Sequence, residues 1–212
     1  MRSRLLICAF AALSACTEGE TDEAAQFAAA LNEYYANNPE CVRVGQPADE
    51  NGVVAEVRED RVPRDGDVSK LDALVSEELL EVRVVDVELR AIVASRPGET
   101  APARRYSLTE KGADFLQRRE EANRMQMGSS AFCYGHRKVT EITNFTEPAD
   151  AFGQRVATVA YTFELMDVPA WARGTKVTAA FPEIARETSG RRSDSTDLVL
   201  TDEGWVHHRL AP

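Results

Sequence analysis

The chain has 212 residues, 25 of them Lys or Arg against 35 Asp or Glu, for a formal net charge of −10. That length supports a real hydrophobic core, as one domain or two small ones. An acidic body is repelled by nucleic acid and by anionic lipid headgroups, which leaves solubility and cationic partners as the compatible readings.

Arg2 and Arg4 lead into an apolar run over 5–16 that ends Leu13-Ser14-Ala15-Cys16. A basic start, a short apolar stretch and small residues before a break are the pattern of a secretory signal. The run is too short to span a bilayer as a finished helix, and no later apolar run reaches that length. Its last four residues resemble the lipobox of bacterial lipoproteins. The resemblance implies that 1–15 is a signal peptide and that Cys16 becomes the first residue of the mature chain, carrying acyl chains such as palmitate. Thr17 follows the cysteine where Asp would direct retention at the inner membrane. By resemblance to enteric lipoproteins, that implies an outer-membrane anchor on the periplasmic face of the envelope. An ordinary secreted protein cut near Ala15, or a buried N-terminal helix, explains Cys16 less well. Residues 16–22 are acidic beyond the cysteine and free of large apolar groups, and they read as a flexible tether.

Of the four cysteines, Cys8 leaves with the signal and Cys16 takes the lipid. Cys41 and Cys133 remain, an even pair in an oxidising compartment, and are expected to be joined. The alternatives are two free buried thiols, or a metal site built on Cys133.

The spacing predicts an amphipathic helix over 21–37, with Phe27, Leu31, Tyr34 and Tyr35 on one face and Asn37-Asn38-Pro39 as its stop. Short strands are expected over 40–44 and 53–57, separated by a Gly- and Pro-bearing turn, with a charged loop over 58–66. Ser69 and Asp72 resemble a capping box for a helix striped by Leu71, Leu74, Val75 and Leu79. From Val82 the period changes to two, as in a half-buried strand running to Val93. Arg96-Pro97-Gly98 turns the chain, 104–108 returns, and Thr109 caps a helix running to about Met125.

This order of helix, strand, turn, strand and helix resembles the wing-bearing half of a winged-helix unit. Leu71 to Arg83 and Arg104 to Leu116 are similar to that region of bacterial transcription regulators, with Tyr106-Ser107-Leu108-Thr109-Glu110-Lys111-Gly112 as the best-matched motif. Asp72, Glu77 and Glu78 against Lys70 make the would-be recognition helix poorly suited to phosphates. The expectation is therefore a packing unit and no nucleic-acid partner.

Gly128-Ser129-Ser130 reads as an internal boundary. Beyond it one long strand is expected over 132–145, then a turn, then the cleanest alternation in the chain over 155–165, the two pairing antiparallel. A short helix or turn is expected near Pro169, ending at Phe181-Pro182, followed by an exposed loop over 189–194. A final hairpin is expected to turn at Asp202-Glu203-Gly204. Leu108-Thr109-Glu110-Lys111-Gly112 is echoed by Leu200-Thr201-Asp202-Glu203-Gly204 at an offset of 200 − 108 = 92 residues, the same as between Cys41 and Cys133. Two duplicated halves would give such an echo.

The chemistry-bearing residues are few. Cys133 and His136 have zinc-like spacing, but Cys41 is the stronger claimant for Cys133. His207 and His208, adjacent on a strand, should face opposite sides. There is no Gly-x-Ser-x-Gly, phosphate loop or dinucleotide fingerprint, and no carboxylate pair is marked by spacing. Trp171 and Trp205 are the candidate binding residues, for a sugar or peptide; buried anchors are the blander reading.

The sequence thus predicts an α+β protein. Its parts are a signal peptide over 1–15, a tether over 16–22, a helix-rich, winged-helix-like half over 23–127 and an antiparallel sheet half over 128–212. The expected role is a lipid-anchored, non-enzymatic binding module of the cell envelope. It would be held to the membrane by its lipid and would meet an envelope protein or cell-wall partner. No catalytic residue, metal or cofactor is expected. The alternative is an envelope hydrolase whose site assembles only in three dimensions.

Overall fold

The structure, a computed structural model, describes residues 17–58, 67–89, 94, 96–117, 128–151 and 153–211. The predicted signal peptide over 1–15 and Cys16 lie outside the described residues. So do the charged loop over 59–66, the end of the strand predicted to reach Val93, and the stretch predicted to carry a helix to Met125.

Strand content corrects the fold class. A helical first half followed by a sheet half is not what forms: strands over Cys41–Val44, Val53–Arg58, Leu80–Glu88 and Thr100–Leu108 already lie before Ser130. Among the described helices only α1 (Thr17–Asn37) and α2 (Asp67–Ser76) exceed six residues. The β-branched runs of the first half decide this, because Val, with its stiff branched side chain, fits a pleated surface better than a helix.

Among the described residues the chain forms two compact units. The first holds 17–34, 139–162 and 194–211; the second holds 35–138 and 163–193. These units are drawn differently from the halves 23–127 and 128–212, since each takes segments from both.

The first unit is built on the parts within it of a sheet ordered β10-β9-β8-β6. Its strands are β6 (His136–Phe145), β7 (Ala149–Ala151), β8 (Gln154–Met166), β9 (Arg192–Thr201) and β10 (Gly204–His207). Val159 and Tyr161 of β8 are 0% and 1% exposed, as their alternation predicts. Helix α1 sets Phe27 and Leu31, both 0% exposed, into this core. Phe27 meets Phe145 and Trp205 edge-on, with ring centroids 5.2 and 5.0 Å away. Asn32 of α1 accepts the Val139 backbone N–H at 2.9 Å. As described, the helix runs from Thr17 and so takes in residues 17–22, which were expected to be a tether.

The predicted loop over 189–194 is shorter than expected, because β9 starts at Arg192. Strands β9 and β10 form the expected hairpin, with Trp205 opposite Leu200 and Gly204 at φ 114°. The echoed motifs adopt unlike structures, one at a strand-to-helix junction and one in this hairpin, so the echo does not extend to local fold.

The second unit contains two small antiparallel sheets. One pairs β1 (Cys41–Val44) with β5 (Ser130–Cys133); the other is ordered β2-β4-β3 and comprises β2 (Val53–Arg58), β3 (Leu80–Glu88) and β4 (Thr100–Leu108). Its core joins Val42, Val54, Leu71, Leu74, Leu79, Tyr106, Phe132, Trp171, Phe181 and Ile184. The predicted capping box does not form: α2 starts at Asp67, which places Ser69 inside the helix. Thr109 does cap α3 (Glu110–Phe115), its Oγ1 accepting from the Gly112 N–H at 2.9 Å. That helix then stops short of its predicted end. Leu116 bridges Phe132 and the Gln117 N–H reaches the Ala131 carbonyl at 2.9 Å, so strand pairing replaces the next helical turn.

The strand predicted as continuous over 132–145 is cut into β5 and β6 at Tyr134-Gly135. Gly135 has φ 139°, and a Cβ there would overlap the Met166 carbonyl. Phe181-Pro182 likewise starts a helix as well as ending one: Phe181 links α4 (Thr175–Ala180) to α5 (Pro182–Glu187), where Pro sits at the first helical position.

Candidate functional site

Cys41 and Cys133 are bonded, directly opposite each other across β1 and β5. Ser130, which looked like the edge of a linker, is 3% exposed, and its Oγ donates to the Gln46 carbonyl at 2.7 Å.

Of the candidate binding residues, Trp171 is 2% exposed in the second unit's core, with Phe115 edge-on at 5.9 Å. It has no surface face to offer a ligand. Trp205 is half-buried against Phe27. His136 lies 3.4 Å from Asp167. No group of three or more candidate metal ligands occurs among the described residues.

The densest polar arrangement in the first unit is one the strand parity argument missed. His207 ends β10 and His208 begins a 3-10 turn over His208–Leu210. The backbone therefore leaves strand geometry between them, and both rings reach Thr196 of β9. His207 Nε2 and His208 Nδ1 each lie 3.2 Å from Thr196 Oγ1. His207 is 4% exposed, not a surface histidine. Its ring stacks on Tyr34 of α1 at 3.7 Å between centroids, and the Arg209 backbone N–H donates to its Nδ1 at 3.2 Å. Burial, then the nearby charges of His208 and Arg209, push its imidazole down to about 4. Next to it, Thr158 Oγ1 of β8 donates to Asp197 Oδ1 at 2.6 Å.

The second unit has two polar nodes. Asp72, expected in a helix cap, instead accepts from Arg104 and from the Tyr106 hydroxyl at 2.8 Å. Burial first, and then the hydrogen bond to Asp72, hold the Tyr106 phenol above its ordinary range. At the other node the Arg137 guanidinium lies between the faces of Tyr35 and Phe163, 5.4 and 4.4 Å from their centroids. Its Nε sits 2.7 Å from Glu40 and its Nη2 3.8 Å from Glu187. Burial, then Glu40, Glu187 and Glu183, push the neighbouring Tyr134 phenol up.

No family model, curated protein or solved structure matches this chain.

The chemistry available at each node follows from its bonds. Because His207 Nδ1 accepts a backbone hydrogen bond, its proton rests on Nε2 and points at Thr196. His207 thus donates to that hydroxyl and cannot act as its base. Arg137 is held by two carboxylates and two rings, which makes it a brace for the segments that carry them.

Proposed function

We propose that the protein is a lipid-anchored, non-enzymatic binding module of the cell envelope, held to the periplasmic face of the outer membrane by acyl chains on Cys16. One observation carries the reading: of the four cysteines, the two that export and lipidation would leave over are the two that bond to each other. The commitment of the histidines and the arginine brace to internal contacts supports a binding role over catalysis. No described helix is long and apolar enough to cross a membrane. The partner in this reading is an envelope protein or a cell-wall component.

Growth with an alkyne-tagged palmitate tests the anchor. The wild-type chain should take up the tag and Cys16→Ser should not; a mature protein that keeps an unmodified Met1 would overturn the proposal. Crosslinking in intact envelopes should then recover one stoichiometric partner.

A hydrolase has one observation in its favour, the Thr196 hydroxyl 3.2 Å from His208 Nδ1. A fluorophosphonate that labels wild type but not Thr196→Val would establish that reading in place of ours.

A further inference from the structure

We propose that His136 and Asp167 are the protein ligands of a surface site for a borderline divalent transition-metal ion of the zinc class, with water completing the coordination. Both residues belong to the second unit, and the site stands whether or not the chain is lipidated.

The backbone sets the two donors in place. His136 opens β6 directly after the Tyr134-Gly135 break. The Gly135 carbonyl accepts from the Glu40 N–H, and the Tyr134 N–H donates to the Glu40 carbonyl, both at 2.8 Å. Gly135 also packs so closely on the Met166 carbonyl that a Cβ would overlap it. Met166 is the last residue of β8, and Asp167 follows it at φ 55°. That left-handed turn is strained for a residue with a side chain, less so for Asp or Asn, and it holds where the surroundings impose it. The turn leaves Asp167 Oδ2 3.4 Å from His136 Nδ1.

That distance favours a shared ion over a direct bond. A charge-assisted hydrogen bond from a ring nitrogen to a carboxylate closes to about 2.7–2.9 Å. Two donors on one tetrahedral ion, with bonds of about 2.0–2.1 Å, stand about 3.3–3.4 Å apart. The pair has the second spacing. An imidazole nitrogen beside a carboxylate oxygen suits Zn2+ and its neighbours, whereas Mg2+ and Ca2+ take oxygen donors. The two side chains are 34% and 79% exposed, so an ion can enter and water can fill its other positions. Cys133, three residues before His136, supplies no further donor, because its sulfur is bonded to Cys41. The site is therefore an open one with two protein ligands, and its affinity should be modest.

The test is titration of the full chain with zinc chloride, followed by NMR at the His136 ring and the Asp167 amide, with magnesium chloride as the control. Zinc should shift both signals saturably, with a Kd below about 1 mM, and magnesium should not. His136→Gln, read at the Asp167 amide, and Asp167→Asn, read at the His136 ring, should each weaken zinc binding at least about tenfold, no less than the loss of an outer-shell partner costs. Asn tolerates the left-handed backbone, so the second variant keeps the turn while removing the charge. The proposal fails if zinc leaves these signals unmoved up to that concentration, if magnesium moves them equally, or if either variant binds zinc as wild type does.

Discussion

His207 turns burial into acid sensitivity. Its imidazole falls from 6.5 in the open chain to about 4 in the fold, so the unfolded state binds the proton first. The stabilisation is complete above pH 6.5 and is lost as pH falls through about 4; a displacement of that size corresponds to at most about 3.4 kcal/mol. Chemical denaturation at pH 7 and pH 4.5 should show wild type losing much of that amount, and His207→Gln a markedly flatter profile. Equal losses in both would remove His207 as the cause. At this scale the sequence was legible where a side chain does one thing. Phe27, Leu31, Tyr34 and Tyr35 share a face at helical spacing and are all buried. It was not legible at His207, because strand parity places adjacent rings on opposite faces only while the strand continues. Nor could it reveal that Asp72, well placed for a cap, would be claimed by Arg104 and Tyr106 across 32 and 34 residues of chain.

At the scale of elements, β8 and the β9–β10 hairpin could be read directly because one face is buried and the period is clean. The errors fall where tertiary pairing overrides local pattern. Residues 132–145 have continuous β propensity, yet Gly135 breaks them by adopting a φ of 139° that a side chain resists. Its missing Cβ also leaves room for the Met166 carbonyl. Gly135→Ala should therefore destabilise the second unit by about 1–3 kcal/mol, read as a lower urea midpoint with an unchanged slope. A neutral effect would mean the backbone can refit there. Helix α3 shows the same competition: propensity favoured continuation past Phe115, but Leu116 and Gln117 gain extended partners on Phe132 and Ala131. The excess of sheet over the predicted helix follows from such substitutions of pairing for propensity.

For the whole molecule, the disulfide spans 92 residues of sequence inside the second unit. Closing so long a loop restricts the unfolded chain, and the chain-entropy argument gives a ceiling of about 4–5 kcal/mol. Replacing both cysteines by Ser should lower stability by an amount up to that ceiling; no change on reduction of wild type would contradict it. The covalent pairing was legible from cysteine arithmetic. The unit organisation was not, since composition shifts at Gly128 mark a loop in the sequence but carry no information about which distant segments share a core.

Each unit draws on separated stretches of chain, and this sets an order of events during folding. Phe27 waits for Trp205, 178 residues later by sequence (205 − 27), before its pocket is complete. A chain made from its amino end presents the apolar side of α1 bare until Trp205 has joined it. Long-range closure of this kind slows folding and exposes sticky intermediates, so refolding from denaturant should be slow and its yield should fall as protein concentration rises.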